Sequence, residues 1–223
     1  MLLHPHVAKP KQLHILVVDD HPVVRKGILA ILSSGLGSVE VAEASDAPHA
    51  LSMIETARPD LVITDISLPG INGIEFVKQG IARWPALRFL VLTRHDEELY
   101  AERALRAGAR GFVMKSEADT TLVDAVRKIL NGSVYVSSNA KVQILSNLSN
   151  LDQSKTDVER LSDREIEVYE HIGQGASRSE IARALNVSVK TVDSYRSRLK
   201  DKLDLRTTAQ LVQSAVQWVQ TSK

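Results

Sequence analysis

Leu61-Val62-Ile63-Thr64-Asp65-Ile66-Ser67-Leu68-Pro69-Gly70 is the stretch around which the rest of the chain is arranged. Its apolar, β-branched start gives way at once to Pro-Gly, the pattern of a strand covered on both faces in a parallel sheet and ended by a turn. Asp65 then stands at the carboxyl end of that strand, the edge where open α/β sheets bind ligands. A lone carboxylate there can be a nucleophile, a metal ligand or a turn-former. The neighbouring segments decide among these.

Working outward, apolar runs at 14–18, 39–42, 89–92 and 111–114 have the same short strand character. Helical periodicity fills 23–32, 47–56, 73–83, 97–107 and 119–130, with Gly108 and Asn131-Gly132 as stops. Strands alternating with helices in this way predict a doubly wound five-stranded parallel sheet. Parallel strands all exit at one edge, so Asp19-Asp20, Asp65, Thr93 and Lys115 converge although 96 positions separate Asp19 from Lys115. Three carboxylates that close cannot all stay ionised without a cation, and their hard oxygen donors suit Mg²⁺. With that ion, the Lys115 ammonium and the Thr93 hydroxyl can neutralise a phosphoryl group carried by Asp65.

Composition narrows the class. A chain of 223 residues with 43% hydrophobic content suits two independently cored domains, and the absence of cysteine excludes disulfides, cysteine-based zinc sites and thiol catalysis. Residues 1–12 lack an export core and read as a tail, and no later run is long and apolar enough to span a bilayer, so a cytoplasmic protein with no membrane partner is expected. Net charge is only +1, yet residues 178–206 hold eight Lys/Arg against four Asp/Glu, which points that segment toward a polyanion.

The pattern changes after Gly132. Residues 132–158, rich in Ser, Asn and Gln with a weak apolar period, predict a partly helical tether between units at 13–131 and 159–223. The second unit shows four helical patterns and no strand. Ser162 and Glu165 form a capping box before the first helix, Ser177 or Ser179 caps the second, Ser188 caps a third that runs to 203, and a last helix fills 207–219. Short-connected helices of this kind make a helix-turn-helix. On the third, Val192, Tyr195, Leu199 and Leu203 share an inner stripe, while Lys190, Ser194, Ser197, Arg198 and Asp201 face outward. Such a face is either simply solvated or lies in a major groove. In the groove reading, Lys190 and Thr191 at the helix start position the domain on phosphates, and Ser194, Ser197 and Arg198 reach base edges. Arg178, Arg196 and Lys200 add salt-dependent affinity from the flanks. Asp193 either accepts from a cytosine amino group or faces water.

Two sets of motifs carry a family resemblance. Val18-Asp19-Asp20-His21-Pro22, Asp65 with Pro69-Gly70 and Gly73, Leu92-Thr93, and Gly108-Ala109-Arg110-Gly111-Phe112-Val113-Met114-Lys115 resemble the receiver domain of two-component response regulators. Leu161-Ser162, Arg164-Glu165, Glu167-Val168, Glu180-Ile181-Ala182 and Ser188-Val189-Lys190-Thr191-Val192 are similar to the LuxR-type DNA-binding domain. Together they resemble the NarL/FixJ subfamily. The resemblance implies a flavodoxin-like receiver with Asp65 as phosphoacceptor, and Mg²⁺ held by Asp19, Asp20, Asp65 and the Ser67 carbonyl. Thr93 and Lys115 would then bind the phosphoryl oxygens. Phe112 falls at the switch-aromatic position, where Tyr is commoner, and Tyr195 replaces the family's usual His. The resemblance also implies a cis bond after Lys115, a sensor histidine kinase or small phosphodonor, double-stranded promoter DNA and a homodimer. The other readings weighed are a haloacid-dehalogenase-type enzyme, which wants a second Asp two positions after its nucleophile, and a DNA-binding regulator indifferent to phosphorylation.

Overall fold

The structure, a computed structural model, describes residues 12–149 and 157–221; the expected tail up to residue 11 and the tether at 150–156 lie outside the described residues. The N-terminal unit runs β1 (Leu13–Val18), α1 (Pro22–Leu36), β2 (Val39–Ala44), α2 (Ala47–Ala57), β3 (Leu61–Thr64), α3 (Gly73–Arg83), β4 (Phe89–Thr93), α4 (Glu97–Arg106), β5 (Gly111–Met114) and α5 (Ala118–Leu130). Its strands form one parallel sheet in the order β2-β1-β3-β4-β5. Alternate residues of each central strand serve opposite faces. Ile15, Val17, Leu61, Ile63, Leu90 and Leu92 pack under α1 and α5, whereas Leu16, Val18, Val62 and Val91 pack toward α2, α3 and α4. Every β3 residue is buried, as the uninterrupted apolar run requires of a strand covered on both sides.

Register fixes the functional edge. Val18 pairs with Thr64 and Thr64 with Val91, so β1 and β3 end level with one another and β4 runs two residues further, to Thr93. A one-residue slip would turn each buried side chain to the wrong layer.

The stretch read as a tether is partly structured. Tyr135 bridges Gly111, and its carbonyl accepts from the Phe112 N–H at 2.9 Å, so the chain continues the sheet edge beyond β5. A helix α6 (Ser138–Ser149) then lies along α4, where Ser137 Oγ donates to Glu97 at 2.5 Å and Gln143 donates to the Glu98 carbonyl.

The C-terminal unit is four helices, α7 (Asp163–Gly173), α8 (Arg178–Ala184), α9 (Val189–Lys202) and α10 (Thr208–Thr221). Both halves of the Ser162/Glu165 capping box are present, and Ser177, not Ser179, caps α8 through the same arrangement with Glu180. Glu165 also receives a 2.6 Å bond from Lys202, stapling α7 to α9. Gly173 allows α10 to approach α7: a Cβ there would lie 2.4 Å from the Ala215 carbonyl oxygen. Tyr169 completes that contact through Ser214 (2.7 Å) and the Trp218 ring. Among the described residues no helix is long and apolar enough to cross a membrane.

Candidate functional site

Sheet topology alone brings the predicted residues together. Asp19 is 1% exposed, Asp65 5% and Thr93 fully buried, all at the carboxyl ends of β1, β3 and β4. Lys115, directly after β5, places Nζ 2.6 Å from Asp19 Oδ2 and 2.6 Å from Asp65 Oδ2, spanning the two carboxylates. Asp65 Oδ1 accepts from the Ile66 N–H at 2.7 Å, and Asp19 Oδ1 from the His21 N–H at 2.8 Å. The backbone behind Asp65 is held as well. Gly73 opens α3 so close to it that a Cβ would lie 1.9 Å from the Asp65 carbonyl oxygen. Only glycine fits there.

Asp20 is exposed and pairs with His21 at 2.6 Å. Asp19, Asp20 and His21 present donor atoms within 4.8 Å of one another, and with Asp65 the donor set is rich in carboxylate oxygen, the chemistry a hard divalent cation takes. Phe112 is fully buried one layer below, with its ring in the core shared with α4. The expected cis bond is not present: among the described residues every peptide is trans, and the Lys115 side chain is long enough to reach both carboxylates from that backbone.

The opposite wall of this pocket comes from the C-terminal unit. A cleft of about 400 Å³ is lined by Asp65, Ser67, Thr93 and His95 on one side and by Glu167, Glu170, His171 and Gln174 of α7 on the other. Ser67 Oγ meets His95 Nε2 at 2.7 Å, and His95 Nδ1 meets Glu170 at 3.1 Å. Burial pushes the His95 imidazole down, but the Glu170 hydrogen bond and charge, helped by Glu167 and Asp65, hold it above its ordinary value. Glu167 is 2% exposed; burial pushes its carboxyl up, against the pull of Arg164 and the Asn72 amide. Asn72 Nδ2 donates to Glu167 at 2.7 Å while Asn72 Oδ1 caps α3. Arg164 pairs with Glu167 and donates to the Gly70 carbonyl at 2.7 Å. Lys78 and Arg103 both meet Asp163. This wall is not foreshadowed in the sequence. His95 lies two residues past Thr93 and could have been suspected from strand-end position, but no local pattern marks α7 as a neighbour of Asp65.

The expected reading surface is on α9. Lys190, Asp193, Ser194, Ser197 and Arg198 are exposed, Thr191, Arg196 and Lys200 partly so, and Val192 and Leu199 are buried as the inner stripe requires. Arg178, Asp193, Arg196, Ser197, Lys200 and Thr208 line an open cleft of about 420 Å³. Asp193 pairs with Arg178 at 3.3 Å, which answers why an acid sits on a basic face: it anchors a guanidinium from α8 beside α9. Ser194 donates to the Lys190 carbonyl, and Thr191 meets the cap Ser188 at 2.7 Å. Arg198 lies over the Tyr195 ring, 5.6 Å from its centroid.

Comparison with known proteins fits both halves. Residues 15–127 match the response regulator receiver domain, and residues 159–215 match the bacterial regulatory proteins of the luxR family. The transcriptional activator protein ExaE of Pseudomonas putida is 36% identical over 204 residues, covering 91% of this chain and 95% of its own. The response regulator UvrY of Escherichia coli K12 is 36% identical over 92% of this chain and 94% of its own. Among solved structures, RcsB from Salmonella enterica serovar Typhimurium, bound to promoter rprA in the presence of the phosphomimetic BeF3-, is 28% identical, covers 91% of this chain and 98% of its own, and superposes with a TM-score of 0.61. A receiver sheet, a LuxR-type helix-turn-helix and relatives matching nearly end to end leave one assignment: the chain belongs to the NarL/FixJ-type response regulators.

Proposed function

We propose that this regulator is switched by phosphorylation of Asp65 and then binds paired promoter half-sites as a dimer through α9. The observation that carries the reading is the Lys115 ammonium 2.6 Å from both Asp19 and Asp65, a fixed positive charge where a phosphoryl group would arrive. The Asp65 carboxylate attacks the phosphorus of a phosphohistidine or a small acyl phosphate. The new O–P bond forms as the bond to the donor's nitrogen or oxygen breaks, and the donor leaves with that electron pair. Lys115 and the Thr93 hydroxyl take the phosphoryl oxygens. When bound, Mg²⁺ held by Asp19, Asp20, Asp65 and the Ser67 carbonyl supplies further positive charge to those oxygens. With Phe112 buried and lacking a hydroxyl, the switched state rests on packing.

On the DNA side, Lys190 and Thr191 position the domain, Ser194, Ser197 and Arg198 read bases, and Arg178, Arg196 and Lys200 contact phosphate, with Asp193 steering Arg178. RcsB has been solved as dimers bound to DNA, which supports a dimer here. On α10, Val212 is 39% exposed and Val216 and Val219 are partly so, giving two copies an apolar strip to share. Acetyl phosphate with Mg²⁺ should add one phosphoryl group by intact mass, and Asp65→Asn should abolish it. A mass shift that survives Asp65→Asn sinks the assignment.

A further inference from the structure

The Asp65 cleft is rich in acid and short of free positive charge. Lys115 is a single ammonium shared between Asp19 and Asp65 at 2.6 Å from each, so that trio stays net negative, and Glu167 and Glu170 line the wall opposite. Among the described residues lining the cleft, Arg94 alone carries a permanent positive charge. We propose that Arg94 is a donor-binding residue, whose guanidinium captures the doubly charged phosphate of a free acyl phosphate at the cleft mouth and stays on its oxygens as Asp65 takes the group. This rests on Asp65 being the acceptor.

Position and availability both point to that role. Arg94 follows Thr93 directly, so its backbone is carried by the strand that ends at the pocket. Its side chain is exposed and, among the described residues, makes no ion pair and no hydrogen bond, although two glutamates share the cleft. Those glutamates are engaged elsewhere: Glu170 with His95, and Glu167 with Asn72 and Arg164. The imidazoles of the cleft are less suited to hold an anion. His95 is fixed between Ser67 and Glu170, and burial favours the neutral form of His171. An arginine that spends no bond on the folded chain is available to a ligand, and its planar fork matches two phosphate oxygens at once.

The chemistry follows from charge. A dianion approaching two buried carboxylates is repelled, and a cation at the mouth offsets that repulsion before Lys115 and Thr93 are within reach. Asp65 then forms the O–P bond as the bond from phosphorus to the acyl oxygen breaks, and the acylate leaves with that electron pair. Arg94 gives and takes no proton in the step; it supplies charge and direction only. A donor with less negative charge gains less from the same guanidinium, so Arg94 also sets a preference among donors.

The test modifies the full-length chain, in Mg²⁺, with acetyl phosphate and separately with phosphoramidate, which carries less negative charge near neutral pH. Arg94→Ala should slow modification by acetyl phosphate about tenfold, the low end of electrostatic capture in a charged cleft, and modification by phosphoramidate by no more than about threefold. Arg94→Lys, which keeps the charge and loses the fork, should fall between Arg94→Ala and the parent. Rising salt should slow the parent more steeply than Arg94→Ala. Urea unfolding midpoints should coincide, because among the described residues the side chain makes no bond within the fold. Equal slowing with both donors at equal salt dependence would mean that Arg94 acts through shape. An unchanged or faster rate in Arg94→Ala would mean that the side chain stands idle or bars the entrance. Each of these results overturns the proposal. If the parent takes no phosphoryl group, or Asp65→Asn still takes one, the acceptor assignment has failed instead, and the role of Arg94 falls with it.

Discussion

The receiver pocket and the α9 surface are both polar sites built on secondary-structure ends and faces, but they are prepared in opposite ways. In the pocket the Asp19 and Asp65 carboxylates are buried and already engaged: Lys115 spans the two, and Asp65 is bonded to the Ile66 N–H. On α9 the cations are exposed, and among the described residues Lys190, Arg196 and Lys200 make no ion pair. A site that performs chemistry gains from charges fixed before the reactant arrives. A site that follows a groove gains from long side chains that settle on contact, and keeping them solvated until then costs the folded protein little.

That contrast is breakable. Its largest consequence is for Lys115→Ala, which strips the cation from two buried carboxylates and should lower folding stability in chelator by about 3–5 kcal/mol, as loss of one partner from a buried pair does. Added Mg²⁺ should return much of that stability in urea melts, whereas Arg198→Ala should change it by no more than about 0.5 kcal/mol. Equal losses at both positions would erase the distinction between a fixed and an adaptable site.

Within α9 the effects should be smaller and of a different kind. Arg198→Ala is expected to cost about 1–3 kcal/mol on specific DNA and little on scrambled DNA. Lys190→Ala should weaken both duplexes alike and flatten the salt dependence by about one unit of slope. If the two variants behave identically in fluorescence anisotropy across a salt series, Arg198 is one more phosphate contact.

The smallest effect concerns the staple behind α9. Burial pushes the Glu165 carboxyl up, but Lys202 and the Ser162 N–H and hydroxyl outweigh that and leave it below its ordinary value. A carboxylate lowered in the folded state contributes stability that is present above its unfolded value, about pH 4.3, and is lost as pH falls through the folded one. Glu165→Gln should therefore cost about 1 kcal/mol near neutral pH. The gap from the parent should narrow in thermal melts as the buffer is taken below about pH 4. A gap that stays constant with pH would assign the loss to shape and not to charge.

Sequence patterning carried the sheet because β-branched runs and Pro-Gly punctuation are local, and the pocket followed because parallel strands share an exit edge. Asp19, Asp65, Thr93 and Lys115 needed no knowledge of neighbours in space. Asn72, Glu167 and Glu170 did. Glu167 reads on a helical wheel as one more acid in an acidic segment, and only docking against Asn72, 95 positions earlier, turns it into a buried, doubly bonded group. Asp193 shows the same limit: its place on a basic helix made sense only once Arg178 of α8 was seen beside it. Tyr100 could not be foreseen either: among the described residues its buried hydroxyl has no hydrogen-bond partner, and burial drives its pKa well above the ordinary value.

The sheet order has a consequence in time. Its strands join partners 21 positions apart at Leu90 and Gly111 and 46 apart at Ile15 and Leu61, separations that slow closure, while the C-terminal helices close mostly local contacts and form quickly. During synthesis the N-terminal half emerges first, yet its pocket lacks a charge until Lys115 has left the ribosome. The unit that emerges last is then the quicker to form, and it meets a receiver whose α3 and α4 surface is newly finished. Refolding of the whole chain should accordingly show α7 burial tracking the slow formation of the sheet, with the helical signal of the C-terminal unit appearing earlier.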